Sequence, residues 1–256
     1  MRFSKLSVPA LAVAAMAVGG AGLAARQAAA SMIYSDTFTT VPASTVDLNG
    51  TKPTVDPAGA AWTSPTGDFT TGSGAATPTT NGPAFGANVA SLPLSLTPNT
   101  LYTYTVTATP TAGTSGDWLA LGFGDGAQGA IYNNANDAFV LYRDNGGTQT
   151  FAGGVASGTS GGTAATAGLP DTFTLTLNSS TGAVTFADTL GLVTGTTKTL
   201  PSVAGVNSVF IGNYQTARGT FSALSVNSTA VPEPATLAIA GLCSAGLLLR
   251  RKRKLA

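Results

Sequence analysis

The chain has 256 residues, no histidine, one cysteine (Cys243) and one glutamate (Glu233), which excludes a His-based catalytic triad, a His-ligated zinc centre, a CxxC redox pair and a disulfide framework. Charged residues make up 9% of the chain, against about 25% in an average globular domain. The formal net charge of +1 divides into three parts. Residues 1–30 carry +3 from Arg2, Lys5 and Arg26. Residues 31–231 set ten aspartates against Lys52, Arg143, Lys198 and Arg218, a net −6. Residues 232–256 set Glu233 against Arg250, Arg251, Lys252, Arg253 and Lys254, a net +4. The acidic middle lacks the clustered cations that phosphate contacts require, which excludes nucleic acid as a partner.

Residues 1–30 read as a secretory signal peptide. Arg2 and Lys5 form the charged start, Leu6 to Ala25 the apolar stretch, and Ala28-Ala29-Ala30 a small-x-small cleavage site with the cut between Ala30 and Ser31. Export then runs through Sec-type machinery. An uncleaved membrane anchor is the competing reading, because the apolar stretch is long. Pro9 and the glycines at 19, 20 and 22 weaken a stable helix there. The lone cysteine says little of redox compartment and fits an exported chain that does not rely on disulfides.

Residues 31–230 follow a period of two and show no long amphipathic helix. From Leu101 to Thr109, Tyr102, Tyr104, Val106 and Ala108 alternate with four threonines, so one face is buried and the other is lined with hydroxyls. Trp118 to Phe123 is apolar throughout, which predicts a central strand; Phe139-Val140-Leu141-Tyr142 reads alike and ends in the turn Asp144-Asn145-Gly146-Gly147. Phe173, Leu175 and Leu177 alternate with Thr172, Thr174 and Thr176, the turn Asn178-Ser179-Ser180-Thr181-Gly182 follows, and Val184 and Phe186 return on the partner strand. Val209-Phe210-Ile211 and Phe221 to Val226 supply the last strands. Roughly ten to twelve short strands predict an all-β, two-sheet antiparallel jelly-roll sandwich. Threonine (40 residues) is β-branched and suits these strands.

Several pieces of this middle resemble the concanavalin A-like (laminin-G-like) jelly rolls: Ser35-Asp36-Thr37-Phe38, Leu48-Asn49-Gly50, Ala60-Ala61-Trp62, Tyr102 to Val106, Trp118 to Phe123 and Phe221 to Val226. The resemblance implies the fold and leaves function open. Glucanases on this fold use paired glutamates on one strand, and residues 31–231 contain none. None of the ten aspartates forms a D-x-D or D-x-x-D cluster; Asp117, Asp125, Asp137 and Asp144 lie mostly beside Gly or Asn, where turns favour Asp. The expectation is therefore no enzymatic activity and no catalytic residue. Asn133-Asn134-Ala135-Asn136-Asp137 with Gly124-Asp125-Gly126 has oxygen ligands suited to calcium but lacks the EF-hand spacing, so turn chemistry is preferred and no cofactor is assigned. Trp62, Tyr132, Tyr142 and Tyr214 are candidate platforms for a sugar, each with core packing as the alternative.

The C-terminus is the most specific part. Val231-Pro232-Glu233-Pro234 precedes Ala235 to Leu249, apolar except for Thr236, Cys243 and Ser244, and the basic run Arg250-Arg251-Lys252-Arg253-Lys254 closes the chain two residues from its end. As a helix, residues 235–249 would be about 22 Å long, short of the ~30 Å hydrocarbon core, with snorkelling and local thinning covering the difference. The basic run acts as the stop-transfer signal and stays cytoplasmic, leaving residues 31–231 outside. This tripartite tail resembles the PEP-CTERM sorting signal of bacteria that make exopolysaccharide. The resemblance implies recognition by an exosortase, a membrane transpeptidase-like protease, cleavage at Val231 to Pro234, and delivery to the cell surface or extracellular matrix. A plain tail anchor leaves Pro-Glu-Pro unexplained. A GPI signal would end in apolar residues. The sortase-like Leu169-Pro170-Asp171-Thr172 lacks its Gly and lies far from the apolar run. The expected function is thus a non-enzymatic surface or matrix protein, briefly anchored and then released, associated with extracellular polysaccharide; the alternative is a lectin-like carbohydrate-binding module or, less favoured, a glycoside hydrolase.

Overall fold

The computed structural model describes residues 29–39, 44–82, 87–113, 116–127, 131, 134–160, 166–193 and 195–231. The signal peptide through residue 28 and the motif and tail from Pro232 onward lie outside the described residues. Fifteen strands, numbered in chain order, form two sheets, and the described residues contain no α-helix. The larger sheet runs β13 (Thr196–Thr199), β12 (Ala183–Asp188), β11 (Asp171–Asn178), β6 (Thr100–Pro110), β15 (Gly219–Ala230), β4 (Ala75–Pro78), β3 (Phe69–Gly72) and β2 (Val46–Asp47), and β1 (Ser31–Asp36) also pairs with β15. The smaller sheet runs β10 (Val155–Ser160), β9 (Thr148–Ala152), β8 (Ala138–Arg143), β7 (Trp118–Gly124), β14 (Ser208–Asn213) and β5 (Asn88–Pro93). All pairings are antiparallel.

The architecture is the expected jelly-roll sandwich, with more strands than expected. The surplus is the short β2, β3, β4 and β13, two to four residues each, which carry too few alternations to register as a period. The predicted hairpin is β11–β12, with Leu177 opposite Val184 and Phe173 opposite Asp188. Its turn ends at Gly182, whose φ of +70° places it in the left-handed region; a Cβ there would also lie 2.8 Å from the Leu200 carbonyl. The turn after β8 likewise closes with Gly146 at φ +82°.

The core lies between the sheets. Tyr102, Tyr104, Val106 and Ala108 of β6, Phe173, Leu175 and Leu177 of β11, and Phe221, Leu224 and Val226 of β15 pack with Leu119, Leu121, Phe123, Val140, Val209 and Ile211 from the facing sheet, all buried. Tyrosine hydroxyls tie the layers together: Tyr104 donates to the Phe210 carbonyl at 3.1 Å and Tyr34 to the Pro93 carbonyl at 2.6 Å. Complete burial raises the Tyr104 hydroxyl well above the ordinary phenol range.

The smaller sheet buries its other face as well. Val89, Trp118, Ala120, Phe139, Leu141, Phe151 and Phe210 form a second cluster with Ile131. Phe139 and Phe151 stack with centroids 4.7 Å apart. Burial on both sides is why β7 and β8 read as unbroken apolar runs, while β6 and β11, wet on one side, alternate.

Replacing Tyr104 by Phe removes only the inter-sheet hydrogen bond and is expected to cost about 1 kcal/mol. Tyr104→Ala also empties the core and is expected to cost about 3–5 kcal/mol. Urea unfolding of residues 31–231 checks both.

Candidate functional site

Three features stand out: the chain exit that leads into the motif, a polar corner on the smaller sheet, and the open face of the larger sheet.

The exit is built by β15. Its last residue, Ala230, pairs with Thr100 of β6, and the Val231 amide donates to the Asn99 carbonyl at 2.7 Å. On the other edge Ser31 of β1 pairs with Ser228. The two predicted processing points, Ala30–Ser31 and Val231, are therefore brought to the same end of the same sheet. Ala30 and Ser31 are exposed and Val231 is half-buried. Pro232, Glu233, Pro234 and the basic run Arg250, Arg251, Lys252, Arg253 and Lys254 lie outside the described residues. No helix among the described residues is long and apolar enough to cross a membrane; the predicted helix at 235–249 is not among them.

The polar corner joins the two segments singled out as a calcium candidate. The Asp125 amide donates to Asp137 Oδ1 at 3.2 Å, and Asn134 Nδ2 donates to Asp125 Oδ2 at 2.8 Å. Ala127 donates its amide to Asp125 Oδ1 at 2.9 Å. Both Asp125 oxygens are thus committed to turn donors, and no group of three or more His, Cys, Asp or Glu suited to a metal occurs among the described residues. The arrangement fits turn chemistry better than a cation cage, which needs six to eight free oxygens. Burial, with Asp125 nearby, pushes the Asp137 carboxyl up to about 7. Beside the corner is an open cleft of about 530 Å³ lined by Thr63, Ser91, Pro93, Asp125, Asn207 and Ser208 among others.

The remaining candidate aspartates also serve the backbone. Asp117 Oδ2 accepts the Thr216 amide at 3.2 Å and Asp144 Oδ1 the Gly116 amide at 2.9 Å. The fold does bring two carboxylates together that the sequence reading missed, Asp171 and Asp188, at the open end of the β11–β12 hairpin. The register counted outward from the turn would have found them. Asp171 is fully buried, its Oδ1 accepts the Thr189 and Leu190 amides at 3.0 and 3.2 Å, and its Oδ2 has no donor. Burial, then the neighbouring Asp188 carboxylate, raises the Asp171 carboxyl, against hydrogen bonds that lower it.

Of the aromatic platforms, Trp62 is buried with Nε1 donating to Asp36 Oδ2 at 2.8 Å, and Tyr142 is buried with its hydroxyl donating to the Leu169 carbonyl at 2.9 Å. Tyr214 is half-buried, stacked on Trp118 with centroids 4.8 Å apart. Tyr132 is outside the described residues. The described platforms are thus used in packing, Tyr214 keeping one partly open side.

The open face of the larger sheet carries rows of hydroxyls. Thr176 faces Thr103, Thr174 faces Thr105 and Thr172 faces Thr107, with Thr185 beyond Thr176 and Asn227 beyond Thr103. Thr107 and Thr172 share a 2.7 Å hydroxyl contact. The charged residues of these five strands, Asp171, Asp188 and Lys198, sit opposite the inward-facing Ala108, Phe173 and Val184. Across these five strands the face is accordingly uncharged.

Residues 230–254 match the family described as the PEP-CTERM protein-sorting motif. No curated protein matches this sequence. Among solved structures, the sandwich is similar to a lectin from Bauhinia forficata in complex with GalNAc (10% identity, 74% of this chain and 99% of that one, TM-score 0.49). It is also similar to the carbohydrate recognition domain of Emp46p (12% identity, 73% and 97%, TM-score 0.46) and to a Lotus tetragonolobus seed lectin (12% identity, 75% and 100%, TM-score 0.43). These likenesses are of outline, and identities this low carry no residue roles across.

Asp36, Asp137 and Asp171 all have carboxyls raised by burial. An unfolded Asp ionises near 3.9, so between about pH 4 and 7 the native state holds protons that the unfolded state has released, and stability falls as pH rises. Melting temperature should therefore decline across that window, and the decline should be shallower in Asp137→Asn. A wild-type melting temperature that rises across it would contradict the burial assignment.

Proposed function

We propose that this is an exported protein of the cell surface or extracellular matrix, held briefly in the membrane by residues 235–249 and cut by an exosortase at or near Pro232-Glu233-Pro234. One observation carries the reading: the match to the sorting motif begins at residue 230, the last residue of the final strand. Domain and signal are therefore contiguous. Pro fixes φ and disfavours helix in the residue before it, so under this reading Pro232 and Pro234 favour an extended segment over a helix. That shape suits a protease cleft. The basic run sets the depth at which the segment is presented. The exported domain acts without catalysis, its uncharged hydroxyl face and low charge suiting a polysaccharide-rich matrix.

A second reading, sugar binding, is favoured by the cleft beside Asp125, where hydroxyls of Thr63, Ser91 and Ser208 converge with a carboxylate and the apolar Pro93. Under that reading residues 31–231 bind a subset of glycans on an array, and Thr63→Val, which removes an exposed cleft hydroxyl and keeps its shape, weakens the signal about fivefold, the size expected when one neutral hydrogen bond is lost.

The sorting reading predicts that the surface or matrix form, by mass spectrometry, ends near residue 231 with the Arg/Lys run gone. Replacing Pro232, Glu233 and Pro234 together by Ala should leave the uncut form in the membrane. A released form that keeps Leu255-Ala256, or normal processing of the triple variant, would reduce the tail to a plain anchor.

A further inference from the structure

The sheet ends at Ala230 and the apolar run begins at Ala235. Five Cα steps separate them, at most about 18 Å even when fully extended. The headgroup layer on one side of a bilayer takes up roughly 5–7 Å of that distance. β6 and β15, by contrast, run side by side from Thr100–Ala230 to Pro110–Gly219, a length of roughly 34 Å at the usual rise. The tether is therefore short compared with the body it holds. We infer that, before cleavage, the end of the sandwich formed by Ser31, Met32, Thr97 to Asn99, Ser180 and Thr181 lies against the membrane surface. This rests on the reading that residues 235–249 are inserted in the bilayer.

The end is built to be firm and approachable. Asn99 joins three chain segments: its carbonyl accepts the Val231 amide, its own amide donates to Ser180 Oγ at 2.8 Å, and its Oδ1 accepts the Ser180 hydroxyl at 2.7 Å. None of Ser31, Met32, Thr97 to Asn99, Ser180 and Thr181 is charged, and Met32 presents an apolar side chain that is 45% exposed. Toward this end the cation Lys198 of β13 shares a row with Val184, Leu177, Tyr102 and Ser228, while Asp171, Asp188 and Arg218 lie toward the other. A domain of net −6 is repelled by an anionic leaflet, and an end that carries Lys198, with Asp171 and Asp188 held at the far end, is one it can bring close. Because the signal-peptide junction opens at the same end through Ser31 opposite Ser228, both apolar segments reach the membrane without wrapping around the domain. The short gap also leaves a protease little free chain, so Val231 and Ala230 must peel from Asn99 and Thr100 for a cleft to close around the motif. Among the described residues, β15 beyond Ser228 is held by β6 alone, which keeps that peeling local.

The test uses the full chain in vesicles of phosphatidylethanolamine and phosphatidylglycerol, with Cys243→Ser and a single labelled cysteine at Thr181→Cys or at Thr111→Cys. Both positions are exposed, and Thr111 follows the far end of β6. With a nitroxide on the lipid headgroups, the two sites being roughly 34 Å apart along the strand, quenching at 181 should exceed that at 111 at least about threefold. Equal quenching at both positions in chains that float with the vesicles overturns the inference and leaves the sorting reading standing. Failure of the chain to float with the vesicles overturns the insertion reading and the inference with it.

Discussion

The pairing of β15 with β6 is the constraint on which the rest of the molecule depends. The ladder runs from Gly219 opposite Pro110 to Ala230 opposite Thr100. It joins residues more than a hundred positions apart. On its other edge β15 collects β1 along Leu224 to Ser228 and β4 at Phe221. Without it, the larger sheet separates into unconnected pieces and Phe221, Leu224 and Val226 leave the core. The strand also absorbs an irregularity between Ser222 and Ser225, where Ala223 adopts a positive φ of 51°, a conformation that a non-glycine residue holds only when its surroundings impose it. A contact of such sequence separation forms late and slowly. Since the sorting motif follows directly, it is made at almost the same moment as the strand that completes the fold.

Much of this was legible in the residues, and where legibility failed the reason is physical. The long strands announced themselves because one wet face forces alternation in β6 and β11, while two buried faces force apolar runs in β7 and β8. The β11–β12 turn was legible from Asn178 to Gly182, because only a few residue types serve there. The short strands β2, β3, β4 and β13 were not, since two to four residues hold no period. Nor could the sequence show that Trp62 would be consumed by Asp36 or that Tyr142 would point at the Leu169 carbonyl. Both contacts are set by strands that meet only in three dimensions. The Asp171–Asp188 approach lies between, hidden from motif spacing yet implied by the hairpin register.

Charge placement separates the tasks of the molecule. The termini carry eight of the twelve cations; the sandwich turns most of its aspartates to the backbone, where they satisfy amide donors at turns and loop ends. What is left on the open face of the larger sheet across β6, β11, β12 and β15 is mostly hydroxyl and methyl, and on the smaller sheet a second aromatic cluster is buried. That suits the proposed role, in which the tail decides where the protein goes and the domain has to persist there.

The dependence of the sandwich on its last strand is tested most directly by comparing residues 31–231 with residues 31–218, which end before β15. The first fragment should show one cooperative thermal transition with a strong near-ultraviolet signal from the buried Trp62 and Trp118; the second should show neither. A fragment lacking residues 219–231 that melts cooperatively at the same temperature would contradict the central role given to β15, and with it the view that the fold is completed next to the sorting signal.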